Sequence, residues 1–207
     1  MAVFHIRSPC DRRMRWALLV ACFPSACSLI AKRLVEAATA SADGGPLRVW
    51  IDVGTSYRSL ATWDLENNSS LVVVGADALR SNLEHAKQST NARFIRVEGA
   101  CSAMPATTLT FNVHASPTCG SLLPTSSRAP ALGAGRDACT GDTPRAVQVP
   151  VFRLGGLVHR IRTLFPRDHV IELLKIDIQG SELDCLRSGG AELSHVRSVL
   201  LKPRAHP

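Results

Sequence analysis

The sequence predicts an α/β domain built on a doubly wound, mostly parallel sheet with helices on both faces. Short apolar runs that end in glycine or aspartate, such as LRVWIDVG and SLVVVGAD, have the length and composition of buried strands. Segments with apolar residues at helical spacing follow them, as at Leu79, Leu83 and Ala86. Strands that alternate with helices favour a parallel sheet covered on both sides.

The remaining elements follow from local patterns in the same way. ARFIRVEGA and VIELLKIDIQG predict further buried strands, and VRSVLL predicts a last one. LTFNVH and AVQVPVFRL alternate like half-exposed strands, so they predict an antiparallel pair. LVHRIRTLF and SELDCLRS predict helices, the second capped by Gly189 and Gly190. The stretch from Ala115 to Arg145, rich in proline, glycine, serine and threonine, predicts a long loop or insertion.

Composition favours an ordinary folded domain. The chain has 207 residues, of which 45% are hydrophobic and 20% charged, which excludes wholesale disorder. The formal net charge is +7, but only DRRMR clusters basic residues, and no basic run is interleaved with aromatic residues. We therefore expect a solvated basic surface rather than a nucleic-acid partner.

The N-terminal residues 1–46 are predicted to be a basic and apolar segment that precedes a folded domain at 47–207. The apolar run from Trp16 to Ala31 is short for a membrane span, and Pro24 interrupts it. It has the outline of a secretory signal or signal anchor; the alternative is a leading helix that continues through AKRLVEAATASA. Membrane contact is expected only if the segment is an anchor, and the compartment is accordingly cytoplasmic or secretory.

The cysteines show neither a CxxC pair nor a histidine at metal-ligand spacing, so no metal site is expected. Their odd count and scattered positions favour free thiols in a reducing compartment over a disulfide framework. They are Cys10, Cys22, Cys27, Cys101, Cys119, Cys139 and Cys185.

Candidate ligand-binding residues lie where predicted strands end: Asp52 with Gly54, Asp77, Ala100 and Asp177. Ligands of such sheets bind beyond the C-terminal ends of the strands. A glycine there lets a ligand approach the backbone, and an acid after the second strand is placed to accept hydrogen bonds from ribose hydroxyls. No GxGxxG fingerprint and no phosphate-binding P-loop is present. The pattern therefore favours a ligand with ribose and adenine but no phosphates.

These segments resemble one known family. VWIDVGTS, VVVGAD, IRVEGACS, VQVPVFRL and above all LLKIDIQGSELDCLRSG are similar to motifs of the FkbM-type methyltransferases, which use S-adenosylmethionine. The resemblance covers residues 48 to about 201. It implies a Rossmann-like class I methyltransferase fold. Because the chain stops at SVLLKPRAHP, soon after the predicted fifth strand, it also implies that the last two strands are lacking.

The resemblance implies a role for each strand-end residue. Asp52 and Gly54 would line the methionine end of the cofactor, and Asp77 would hold the ribose. The adenine edge would be met by Glu98, Ala100 and Cys101.

The acceptor implied by the family is a hydroxyl on a sugar or small natural product. Asp177 would lie near the transferred methyl group as the catalytic base, with His114 and His159 as surface alternatives. Lys175 is expected to bury its stem and extend its head to the surface. Glu182 either belongs to the site or is a first-turn acid favoured by the helix dipole.

Two departures from the family pattern favour an alternative, a degenerate or truncated binding module without activity. Arg58 stands where the family commonly has a second glycine in the first-strand loop. Gly155 replaces the aspartate of the usual leucine–aspartate pair.

Overall fold

The structure, a computed structural model, describes residues 25–41, 45–56, 62–114, 119–123, 144–166 and 168–202. The strands are β1 (Leu47–Val53), β2 (Leu71–Asp77), β3 (Phe94–Glu98), β4 (Ala100–Cys101), β5 (Thr108–Val113), β6 (Arg145–Phe152), β7 (His169–Ile176) and β8 (Val196–Leu201). The helices are α1 (Ser25–Ala40), α2 (Thr62–Asn67), α3 (Arg80–His85), α4 (Leu154–Leu164) and α5 (Glu182–Arg187), followed by a 3-10 helix at Gly190–His195.

The main sheet has five strands in the order β3-β2-β1-β7-β8, and every neighbouring pair is parallel. A smaller sheet has the order β4-β6-β5, in which β5 and β6 pair antiparallel and β4 and β6 pair parallel. The predicted α/β class and the antiparallel pair are therefore confirmed. The register places Asp52 opposite both Gly75 and Lys175, so β1 carries an acid into the centre of the sheet.

Helices cover both faces of the main sheet, as predicted. In β2, Val72 and Val74 belong to one buried cluster, whereas Leu71 and Val73 belong to another. Successive strand residues point to opposite faces, so the two clusters lie on opposite sides of the sheet. Residues of α1 and α4 pack into the first cluster, and Leu65 of α2 packs into the second.

Helix α1 packs onto the sheet. Leu34, Ala37 and Ala38 are buried in the same cluster as β1, β2 and β7. Of the possible signal at residues 1–31, residues 1–24 lie outside the described residues and residues 25–31 begin α1. The signal and the domain boundary at 46/47 stay predictions. No helix in the described part of the chain combines the length and apolar character needed to cross a bilayer.

The prediction of free thiols is wrong for Cys101, Cys119 and Cys185. Cys101 and Cys185 form a disulfide across 84 residues of sequence, with Cα atoms 5.0 Å apart, and Cys119 is disulfide-bonded as well. The disulfide depends on tertiary structure, because the fold brings β4 against α5 at a separation that a disulfide requires. Spacing along the chain carries no sign of that approach.

Candidate functional site

A cleft lies beyond the C-terminal ends of β1, β2 and β7. Its empty space measures about 540 Å³, a figure that includes space open to solvent. Of the residues predicted from the sequence, Gly54, Asp77, Ala100, Cys101 and Asp177 line it. The fold thus brings together residues that are spread over more than half of the chain.

Two other predicted residues do not line the cleft. Asp52 is buried at 3% exposure and contacts Lys175 instead. Glu98 ends β3 with an exposed side chain, and its neighbours Gly99 and Ala100 face the cleft.

Gly54 forms the turn at which β1 ends. Its backbone N–H donates to the carbonyl of Ala76 on β2, at 2.8 Å. Its φ is +77°, a left-handed conformation that favours glycine. A Cβ atom at this position would lie 2.0 Å from the carbonyl oxygen of Asp177. The glycine therefore lets the ends of β1 and β7 approach each other at the floor of the cleft.

The Asp77 carboxylate is largely occupied by the protein. It accepts hydrogen bonds from Ser56 N at 3.0 Å, Leu79 N at 2.9 Å and Asn82 Nδ2 at 3.0 Å. Burial raises the pKa of Asp77 above its usual value, and these hydrogen bonds oppose the rise. A carboxylate has about four lone-pair positions, so Asp77 keeps capacity for about one further hydrogen bond.

Lys175 does not extend to the surface, and that expectation is corrected. The residue is 7% exposed. Its Nζ donates to Asp52 Oδ1 at 2.8 Å and to the Gly54 carbonyl at 3.1 Å, and it lies 4.0 Å from Asp177 Oδ2. The register opposes Lys175 to Asp52 across β1 and β7, so an ion pair satisfies the ammonium group inside the sheet. A buried charge requires such a partner.

Asp177 lines the cleft at the turn that follows β7. Its Oδ2 accepts a hydrogen bond from Lys202 Nζ at 3.1 Å, and its Oδ1 lies 3.4 Å from Gln179 Nε2. Its side chain is 16% exposed, whereas that of Lys202 is 73% exposed. The carboxylate is therefore accessible to a molecule that enters the cleft.

Glu182 holds the turn between β7 and α5. Its two carboxylate oxygens accept hydrogen bonds from the backbone N–H groups of Ile178 and Gly180, at 2.9–3.1 Å. In that turn Gln179 has a φ of +59° and Gly180 a φ of +108°. Glu182 is buried and fixes a strained turn that lines the cleft, rather than facing a ligand itself.

A described part of the predicted long loop closes over the cleft. Residues 119–123 contribute Gly120 and Leu122 to the lining. The Ser121 hydroxyl donates to the Gln179 carbonyl at 2.9 Å, which joins this segment to the turn after β7. The insertion therefore forms one wall of the site.

Asn82 and Phe111 also line the cleft, although the sequence patterns did not predict either of them as a site residue. Asn82 follows Leu79 by three residues, so a polar side chain occupies the apolar face of α3. That mismatch with the helix pattern is a signal that would have found it. Phe111 belongs to a half-exposed strand, and no local pattern distinguishes it.

The β4 side of the cleft is attached to α5. Beside the disulfide between Cys101 and Cys185, the Ser102 hydroxyl donates to Asp184 Oδ2 at 2.6 Å. The same oxygen accepts from Ala103 N at 3.1 Å. One wall of the cleft is thus held to the helix that follows the β7 turn.

Close packing explains why position 155 carries a glycine. Its N–H donates to the Ser188 carbonyl at 3.1 Å, and a Cβ atom would lie 2.7 Å from the Gly189 carbonyl oxygen. The start of α4 docks against the end of α5 too closely for an aspartate. Arg58, the other departure, lies outside the described residues.

The two histidine candidates do not line the cleft. His159 is exposed on α4, with Nδ1 3.4 Å from Glu192 Oε1. His114 is buried after β5, at 7% exposure, so the expectation of a surface residue is wrong for it. Among the residues that the structure describes, no three His, Cys, Asp or Glu side chains group as metal ligands.

The lining suits a ligand with hydroxyl groups and without phosphates. The described residues that face the cleft include two carboxylates, backbone turns and apolar side chains, but neither lysine nor arginine. Phosphate groups are normally met by such cations or by helix N-termini. S-adenosylmethionine, with its ribose and adenine, fits this donor and acceptor set.

Comparison with known proteins agrees with the geometry. The Methyltransferase FkbM domain matches residues 55–205, which is most of the chain. No curated protein and no solved structure gives a significant match. The chain therefore belongs to the FkbM methyltransferase family and is an S-adenosylmethionine-dependent methyltransferase.

Proposed function

We propose that this enzyme transfers the methyl group to a hydroxyl oxygen of a sugar or small natural product. The observation that carries the proposal is Asp177, a partly exposed carboxylate that lines the cleft. S-adenosylmethionine supplies an already activated methyl group. The protein then has to align the acceptor and remove one proton. A hydroxyl acceptor must lose that proton, and a positioned carboxylate can accept it.

Asp177 suits this task better than Asp77, the other carboxylate in the described lining. Three hydrogen bonds from the protein already occupy Asp77, and its side chain lies deeper. Asp177 accepts two longer hydrogen bonds, from the exposed Lys202 at 3.1 Å and from Gln179 at 3.4 Å. We therefore assign proton removal to Asp177.

The cofactor roles follow the strand ends. Gly54 is assigned to the methionine end, where its turn admits close approach; Asp52, which the sequence placed beside it, is joined to it through Lys175. Asp77 is assigned to the ribose, and its remaining capacity fits one hydroxyl. The backbone from Glu98 through Cys101 is assigned to the adenine edge; within it, Ala100 and Cys101 face the cleft.

The test is methyl transfer from S-adenosylmethionine carrying a tritiated methyl group. Three acceptor panels of matched size offer hydroxyl, amine or carboxyl groups. We expect labelled ethers, stable to alkali, from the hydroxyl panel. Label confined to amines, or to alkali-labile esters, would contradict the proposal.

A pair of variants then tests the assignment of Asp177. Asp177→Asn should lower the rate by about 10²-fold or more, since it removes the proton acceptor, and should leave affinity for S-adenosylhomocysteine close to that of the wild type. Glu66→Gln, which removes an exposed carboxylate on α2, is the matched control and should retain the rate. An Asp177→Asn enzyme of normal rate would assign the proton to another group.

A further inference from the structure

Lys175 is a buried cation with a defined set of partners. Its side chain is 9% exposed, and its ammonium group reaches Asp52, the Gly54 carbonyl and the vicinity of Asp177. A buried ammonium group needs both charge compensation and hydrogen bonds. Here each partner lies at the C-terminal end of β1 or β7, and Lys175 itself does not line the cleft.

The three partners differ in their relation to the cleft. Gly54 and Asp177 line it, whereas Asp52 is buried in the sheet and does not. The turn at Gly54 has a left-handed φ and touches the backbone of Asp177. A hydrogen bond to the Gly54 carbonyl therefore fixes the orientation of a peptide group that the cofactor is proposed to approach.

We propose that Lys175 is a positioning residue that fixes the Gly54 turn relative to Asp177, and so sets the affinity of the cleft for the cofactor. This inference rests on the proposed function, because it takes Gly54 and Asp177 as the cofactor and acceptor ends of one site. Lys175 acts through these groups and does not touch the ligand.

The competing explanation is that Lys175 only neutralises Asp52. The two explanations separate when both members of the pair are replaced together. A buried ion pair exchanged for apolar side chains of similar volume is often neutral or stabilising, whereas loss of one partner is costly. The double variant Lys175→Met with Asp52→Leu therefore removes the unpaired charge, but it does not restore the hydrogen bond to Gly54.

The experiment measures two quantities for each variant: the melting temperature, and the Kd for S-adenosylhomocysteine by titration calorimetry. Lys175→Met alone should lower the melting temperature by about 6–20 °C and weaken binding. The double variant should melt within a few degrees of the wild type yet bind about tenfold or more weakly, because small displacements in a site are costly. A double variant that binds as tightly as the wild type would overturn the proposal.

If the apolar pair does not fold, Lys175→Met with Asp52→Asn replaces it. That pair removes both charges and the donor to the Gly54 carbonyl, and the same two outcomes decide. Lys32→Met is the control for loss of one positive charge, since Lys32 is 71% exposed on α1; it should bind normally. Wild-type protein that does not bind S-adenosylhomocysteine would contradict the placement of the cofactor itself, and the Lys175 role with it. Equal binding by wild type and double variant would contradict the Lys175 role alone.

Discussion

Replacing Gly54 with alanine adds a methyl group where the end of β1 meets the backbone of Asp177. The added Cβ would lie 2.0 Å from the Asp177 carbonyl oxygen and 2.8 Å from its carbon. These are backbone atoms in a paired strand end, so they cannot rotate away as a side chain would. The alanine must also keep a φ of +77° or rebuild the turn.

The magnitude follows from these two terms. A left-handed conformation costs a residue with a Cβ about 1–2 kcal/mol, and overpacking costs about 1–3 kcal/mol. Together they predict a loss of about 2–5 kcal/mol in the free energy of unfolding. For a chain of this size the melting temperature should fall by about 4–20 °C.

Alanine variants at two further glycines separate the cost of the left-handed conformation from the cost of overpacking. Gly190 has a φ of +54°, and no atom lies within 4 Å of the position that a Cβ would take there, so its alanine variant should show the conformational cost alone. Gly156, on the first turn of α4, has neither a left-handed φ nor a neighbour within 4 Å of that position. Alanine there should stabilise by about 0.5–1 kcal/mol.

Circular dichroism melts of the three variants, each with and without S-adenosylhomocysteine, provide the assay. From highest to lowest melting temperature, the expected order is Gly156→Ala, wild type, Gly190→Ala and Gly54→Ala. If Gly54→Ala melted at or above Gly190→Ala, the close approach of β1 to Asp177 would not be a constraint, and the reasoning would be refuted.

Three other predictions concern groups around the cleft. Replacing Cys101 and Cys185 together with alanine should lower the free energy of unfolding by about 4 kcal/mol, measured by urea titration; an unchanged midpoint would mean the bond is not formed. Because burial raises the pKa of Asp77, its contribution to stability is largest below the unfolded pKa and is lost as the pH rises through the folded value. Cofactor affinity should change in the opposite direction and weaken as the pH falls through the raised pKa of Asp77, since a protonated carboxyl accepts fewer hydrogen bonds. Calorimetry at each pH would show a flat profile if Asp77 is not involved. Glu182→Gln should cost about 1–3 kcal/mol, because its amide group would face the N–H of Gly180, and Leu183→Ala on the exposed side of α5 is the control that should melt normally.

The sequence predicts those features that local patterns determine. Apolar runs of strand length predict β1, β2 and β7, and the acids and glycine that follow them predict a ligand site, which the structure forms as a cleft. Parallel strands then bring Gly54, Asp77 and Asp177 to one edge of the sheet, which is a consequence of topology alone.

The features that were missed depend on contacts between distant parts of the chain. Lys175 and Asp52 are 123 residues apart, and Ser121 and Gln179 are 58 apart. Whether a lysine in an apolar strand turns to solvent or to a partner is decided by the register of β1 against β7, and no window of sequence contains that register. The disulfide from Cys101 to Cys185 was missed for the same reason.

That disulfide also makes the chain partly circular. Residues 101–185 form a closed covalent ring that contains β5, β6, α4 and β7, whereas Gly54 and Asp77 lie on the open arm before it. A single backbone cut anywhere inside the ring leaves one molecule, with the mass of the intact chain plus one water. A protease cut there would be invisible on a denaturing gel until a reductant is added.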